Sequence, residues 1–98
     1  MTIYNTTFTI HNSILDKCLF LIKTEVIDRM LEDGFSQPTL MKVVSINDPE
    51  YTNYALQLQA PDIEFIEKWK NDNMDCIKML QSLFKEKVLY FDTILESI

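Results

Sequence analysis

YTNYALQLQA, Tyr51 to Ala60, alternates side chains that belong in a core with side chains that belong in water. Tyr54, Leu56 and Leu58 fall on one side, and Asn53, Gln57 and Gln59 on the other. A period of two marks a β-strand with one buried face. The polar face carries long neutral amides where a strand in bulk water would ordinarily carry Lys or Glu, which suits a surface that is wet but partly enclosed. Pro61 then removes a ladder donor, and Asp62 is placed to cap a helix. That helix is IEFIEKWKNDNMDCIKMLQSLF, with Ile63, Ile66, Trp69, Ile77, Leu80 and Phe84 on its apolar stripe and a kink or break at KNDN, residues 70–73. Upstream, TLMKVVSI after Pro38 reads as a strand and NDPE as the turn, a hairpin closed by a loop of about four to five residues.

The two ends of the chain complete the pattern. Thr2 to Ile10 is rich in β-branched and aromatic residues, with Tyr4, Phe8 and Ile10 on one side and Ile3, Asn5, Thr7 and Thr9 on the other. Helical spacing follows in HNSILDKCLFLIKTEVIDRMLEDG, through Ile14, Cys18, Leu21, Ile22, Met30 and Leu31. Asn12 or Ser13 is its expected N-cap, and Gly34, the one glycine of the chain, stands where a left-handed C′ residue ends it. KVLYFDTIL closes the chain as a strand with Val88 and Tyr90 on one face, Leu89 and Phe91 on the other. The order βαββαβ predicts a ferredoxin-like α+β plait over residues 1–98 as a single domain. Right-handed crossovers put both helices on one face of a four-stranded antiparallel sheet. The other face then collects Ile3, Asn5, Thr7, Thr9, Met41, Val43, Asn53, Ala55, Gln57 and Gln59 with one side of the last strand. Its apolar members approach the patch of about 400 Å² beyond which a soluble monomer is expected to have a partner.

The totals narrow the choice of partner. The 98 residues carry 15 acidic and 9 basic side chains, a net charge of −6 that repels a phosphate backbone. The basic-glycine-aromatic signature of RNA-recognition sheets, which share the element order, is absent. No apolar run reaches the length of a membrane span, the helices lack a basic face, and no basic leader precedes a cleavage motif. A cytoplasmic location, with neither nucleic acid nor membrane as partner, is the resulting expectation. Cys18 and Cys76 both sit inside apolar helical patterns and read as reduced core thiols.

The segments YNTTF (Tyr4–Phe8), DGF (Asp33–Phe35), YALQ (Tyr54–Gln57) and LFKEKVLYFDTILESI (Leu83–Ile98) resemble a family of small bacterial proteins of unknown function. That family is similar to the dimeric α+β barrel proteins, and the resemblance spans nearly the whole chain. It implies a ferredoxin-like protomer that pairs through its sheet. Residues matching it are Tyr4, Asn5, Thr6, Thr7, Gly34, Phe35, Tyr54, Gln57, Phe84, Phe91 and Thr93. The chain departs from the family at two places: Val26, Ile27 and Asp28 replace a His-Ile-Pro late in the first helix, and Asp92 replaces an arginine of the last strand. Any chemistry that the family's histidine or arginine performs is in doubt here.

Little in the chain announces a reaction. His11 is the one histidine, placed at a strand-to-helix junction, and reads as a loop or capping residue. The pairs Glu64 with Glu67, Asp72 with Asp75 and Asp28 with Glu32 lie beside lysines and an arginine and read as solvated helix faces. Tyr4, Tyr54, Tyr90 and Trp69 read as core aromatics, and neither a Gly-rich phosphate loop nor a GxSxG or HExxH motif occurs. The expected function is a non-enzymatic homodimer, without metal or cofactor, paired through the open sheet face. There Asn5, Thr7, Gln57 and Gln59 would offer neutral hydrogen bonds to a small ligand or a protein partner. A cofactor-independent oxygenase or isomerase of the dimeric-barrel kind is the alternative, with Asp92 or a tyrosine of the last strand moving the proton. A regulatory amino-acid-binding module shares the element order, and a plain solvated face that lacks charges is open as well.

Overall fold

Strand β1 (Thr2–His11) occupies the centre of the molecule. It pairs antiparallel with β3 (Tyr51–Ala60) on one side and with β4 (Val88–Glu96) on the other, and β2 (Ser36–Lys42) lies outside β3. The sheet therefore has four strands in the order β2-β3-β1-β4. In this computed structural model residues 1–72 and 74–98 are described. Tyr4, Phe8 and Ile10, all 0% exposed, meet Leu56 and Leu58 of β3 and Val88 of β4 beneath the helices. The alternation seen in the sequence is thus the division between the two faces of the sheet.

The first helical region runs as a short 3-10 turn over Asn12–Ile14, then α1 (Leu15–Leu21), a π-helical segment over Ile22–Val26, and α2 (Ile27–Asp33). The cap is His11, one residue before the expected Asn12 or Ser13: its Nδ1 accepts the Ser13 N–H at 3.1 Å. The wide π turn has a geometric reason. Cys18, Ile22, Val26 and Met30 recur every fourth residue and all are fully buried. In a regular α-helix four residues turn about 400°, so three such steps would rotate the stripe about 120° away from the sheet. The slower winding of the π segment cancels much of that drift and brings Val26 inward, while Leu31, which regular spacing assigns to the stripe, is exposed.

Gly34 ends α2 at φ 117°, as its position suggests, and its N–H reaches the Leu31 carbonyl at 3.2 Å. A methyl group at Gly34 would stand 3.0 Å from the Phe65 ring. Phe65 belongs to an aromatic cluster with Phe35, Tyr4 and Trp69, whose ring centres lie 5.1 to 5.9 Å apart. These contacts are mostly edge-to-face or tilted, which satisfies the ring quadrupoles.

Strand two differs from its expected span. β2 starts before Pro38, because Ser36 pairs with Gln59, and it stops at Lys42 opposite Tyr54. An edge strand tolerates Pro38 where a central strand would lose a ladder bond. The register shifts between Ser36 and Thr39, and Gln37 adopts φ 53° in that bulge. Residues 43–50 form a loop longer than the expected turn, with Val44 and Ile46 exposed. Asp48 Oδ1 accepts the Glu50 N–H at 2.8 Å, and Asn12 donates its backbone N–H to the Glu50 carbonyl at 2.8 Å. These bonds tie the loop to the β1–α1 junction.

The second helical region divides into α3 (Ile63–Asp72) and α4 (Asp75–Phe84), which agrees with a break near KNDN, although Asn73 of that motif lies outside the described residues. Asp62 Oδ1 accepts the Phe65 N–H at 2.7 Å, the expected cap. β4 is displaced by one residue from its expected bounds, to Val88–Glu96. Cys18 and Cys76 are free and buried, and burial pushes each thiol up to about 11.

Replacing Gly34 by Ala is expected to lower stability by about 1 to 3 kcal/mol, since the left-handed backbone and the Phe65 ring both oppose a Cβ. Chemical denaturation of the two proteins checks this, and equal midpoints would contradict it.

Candidate functional site

The face of the sheet away from the helices is the candidate site. Its centre is a ladder of cross-strand pairs: Ile3 with Gln59, Asn5 with Gln57, Thr7 with Ala55, Thr9 with Asn53 and His11 with Tyr51. Because β1 and β3 are both central, these side chains are shielded by their neighbours, and Thr7 and Asn53 are buried although no helix covers them. Asn5 Nδ2 donates to Thr7 Oγ1 at 3.2 Å, and the Thr9 hydroxyl donates to Asn53 Oδ1. Asn5 Oδ1 is buried and finds no partner among the described residues, a cost of about 1 to 3 kcal/mol if nothing else meets it.

Two apolar edges frame this polar centre. Met41 on β2 is 45% exposed, and Leu89, Phe91 and Leu95 on β4 are 52%, 60% and 43% exposed. Phe91 pairs with Thr7 and Leu95 with Ile3, which puts the β4 residues on the same face as the amides. Among the described residues this face carries no Asp, Glu, Lys or Arg within the strands. All four residues expected to bind a ligand, Asn5, Thr7, Gln57 and Gln59, therefore share one neutral surface.

Gln57 and Gln59 also line a pocket of about 230 Å³ with Ile3, Gln37, Pro38, Thr39 and Leu58. Gln37 and Thr39 escape a reading of the sequence alone, because the β2 bulge that brings them there is set by pairing with β3. The one local signal is the Gln-Pro step, since a residue before proline disfavours helical backbone. A larger groove of about 530 Å³ runs between α1 and the end of α4, past Phe20, Leu21, Leu83 and Phe84. Only Asp16 and Lys17 give it any polarity, so little there could orient a ligand.

The titratable groups sit elsewhere. Asp92, opposite Thr6, and Tyr90, opposite Phe8, are on the helix side of the sheet, away from the face that a proton-moving group would have to serve. The Tyr4 hydroxyl donates to Asp92 Oδ2 at 2.7 Å, and Lys70 Nζ approaches the same oxygen at 2.8 Å. Burial alone would raise the Asp92 carboxyl, but the hydrogen bond and charge of Lys70, with the Tyr4 hydroxyl, outweigh it and hold the group below its usual range. Burial, and then the neighbouring carboxylate, push the Tyr4 phenol far above its ordinary value, so it stays a neutral donor. His11 marks one end of the open face, its ring edge-on to Tyr51 at 5.1 Å. Its Nδ1 accepts the Ser13 N–H, which ties the ring to the first helical turn. Among the described residues no group of three His, Cys, Asp or Glu could hold a metal ion, and no helix is long and apolar enough to cross a membrane.

The element order, the strand order and the one-sided helix layer define a ferredoxin-like α+β fold. The chain belongs to the family described as Domain of unknown function (DUF4286), whose model matches residues 1–98. No curated protein matches the sequence. Among solved structures, an antibiotic biosynthesis monooxygenase is similar with a TM-score of 0.71 at 13% identity, over 100% of this chain and 99% of that one. A dimeric ferredoxin-like protein from an uncultured marine organism is similar at 0.56 and 13% identity, over 99% and 90%. The de novo designed protein Foldit4 reaches 0.66 at 9% identity, over 99% and 98%. A designed chain in that company shows that the likeness carries the fold alone.

The Asp92 pairing predicts a pH effect on stability. With its folded value depressed, Asp92 contributes stability that is present above the unfolded carboxylate value of about 3.9 and is lost as pH falls through the folded value. Asp92→Asn is expected to cost about 1 to 2 kcal/mol at pH 7 and progressively less in strong acid. Urea titrations at both ends of that window measure the gap; a gap that widens in acid would contradict the assignment.

Proposed function

We propose that this chain is a non-enzymatic module that pairs as a homodimer through the open sheet face and holds a small ligand between the paired sheets. One observation carries this reading: the face combines exposed apolar edges with a neutral, hydrogen-bonding centre and has no charged strand residue among those described. Covering Met41, Leu89, Phe91 and Leu95, each about half exposed, contributes on the order of 3 to 6 kcal/mol per chain, and twice that in a symmetric pair. The freedom lost on association costs about 4 to 15 kcal/mol, so the apolar edges bring the balance close and the remaining area of the covered face tips it. Asn5, Thr7, Gln57 and Gln59 cannot be sealed dry without partners, which favours a ligand or trapped water between the sheets. A similar solved structure, the dimeric ferredoxin-like protein, supports pairing.

The oxygenase or isomerase reading, which the monooxygenase neighbour brings to mind, requires a group that can exchange a proton with a substrate on this face. Asp92 and Tyr90 point the other way, and Asp92 is already engaged by Tyr4 and Lys70. That placement favours binding over catalysis.

Sedimentation of the purified chain is expected to give a dimer, and Phe91→Asp a folded monomer, because a carboxylate in the apolar edge would be buried without a counter-charge. Asn5→Leu combined with Gln57→Leu is expected to keep or strengthen the dimer while the ligand detected by native mass measurement disappears. A monomeric native chain, or ligand retained by the double variant, would each count against the proposal.

A further inference from the structure

The pocket at the β2 bulge narrows the chemistry of the ligand, an inference that rests on the binding function proposed above. Gln37, Thr39, Gln57 and Gln59 are its polar lining residues, and Ile3, Pro38 and Leu58 its apolar ones. None of these groups titrates. An ionic group of a ligand would leave water for a wall without a counter-charge, which is strongly unfavourable, so the pocket selects against acids and amines.

The neutral lining is specific in another way. Each carboxamide presents a C=O acceptor and an N–H donor side by side in one plane. The complement of that edge is a second amide with its own N–H and C=O on the same side, as in a lactam, where ring closure holds them cis. Gln57 and Gln59 lie two residues apart on one face of β3, about 7 Å along the strand, a separation that one ring can bridge. The side-chain hydrogen bonds of the open face's centre join Asn5 to Thr7 and Thr9 to Asn53, which leaves the Gln57 and Gln59 carboxamides without a side-chain partner among the described residues. Gln37 is held at φ 53°, a region that side chains enter at a cost and that the following proline makes less favourable still. The strain is maintained where the residue joins the pocket wall. The volume, about 230 Å³, lies below the range of drug-sized sites and suits a single ring.

We propose that the pocket lined by Gln37, Thr39, Gln57 and Gln59 binds a small uncharged ring through its lactam edge. Uracil is the probe, with two controls of nearly the same shape: N,N′-dimethyluracil, which lacks the N–H donors, and orotate, which adds a carboxylate to the same ring. Titration of the full chain, followed by calorimetry and by the side-chain amide signals of glutamine, is expected to show saturable uracil binding that moves the Gln57 and Gln59 signals. Each control is expected to bind at least about tenfold more weakly, since an amide left facing a methyl group or a carboxylate left without a counter-charge forfeits roughly that factor. Gln59→Leu should weaken uracil by a similar factor while sedimentation and circular dichroism stay unchanged.

Equal affinity for uracil and N,N′-dimethyluracil, or no uracil binding by the folded chain, overturns the lactam assignment. If the dimer then still carries a small molecule that the Asn5→Leu, Gln57→Leu variant loses, binding at the open face stands and only the ligand class is wrong. If the native chain carries no small molecule and none of the probes binds, both fail together.

Discussion

The alternation of β1 is the constraint from which the other features follow. β1 pairs along its length with both β3 and β4, so its pleat assigns its side chains to a face: Tyr4, Phe8 and Ile10 to the core, Asn5, Thr7 and Thr9 to the open side. A slip of one residue against β3 or β4 would bury Asn5 beneath the helices and expose Tyr4, exchanging several kcal/mol of apolar burial for unpaired amides. Register and facing are therefore specified together. The polar ladder of the open face is the necessary counterpart of the core on the other side.

The helix side adds two devices that hold this arrangement. The π-helical turn keeps Cys18, Ile22, Val26 and Met30 aligned over the sheet. Beneath α3, Tyr4 places its ring against Phe35 and Trp69 and its hydroxyl on Asp92, which Lys70 neutralises. A tyrosine that donates to a carboxylate already paired with an ammonium solves the problem of burying a phenol without leaving it unsatisfied. The same arrangement engages Asp92 through both Tyr4 and Lys70. Its role in this chain is to join β4 to β1 and α3.

Much of the fold is legible from local pattern. The period of two in Tyr51–Ala60, the stop at Pro61, the Asp62 cap and the left-handed Gly34 each depend on a few neighbouring residues, and each falls where the spacing puts it. The common face of Asn5, Thr7, Gln57 and Gln59 is equally readable, because it needs only the alternation of two strands that pair. The span of β2 is not. Its apolar run extends through Val44 and Ile46, but pairing with β3 decides where the strand begins and ends, and those side chains are left in the loop.

By itself the sequence determined the order of strands and helices, which side of β1 and β3 is greasy and which is polar, and that no motif for a known reaction is present. The reason is physical: backbone propensity, capping and pleat act over a handful of residues. Only the tertiary structure decided that Asp92 faces Tyr4 and Lys70, and that Gln37 joins Gln57 and Gln59 around one pocket. Those relations join residues 20 to 88 positions apart, or turn on a bulge, and they come into being only when the strands choose their register.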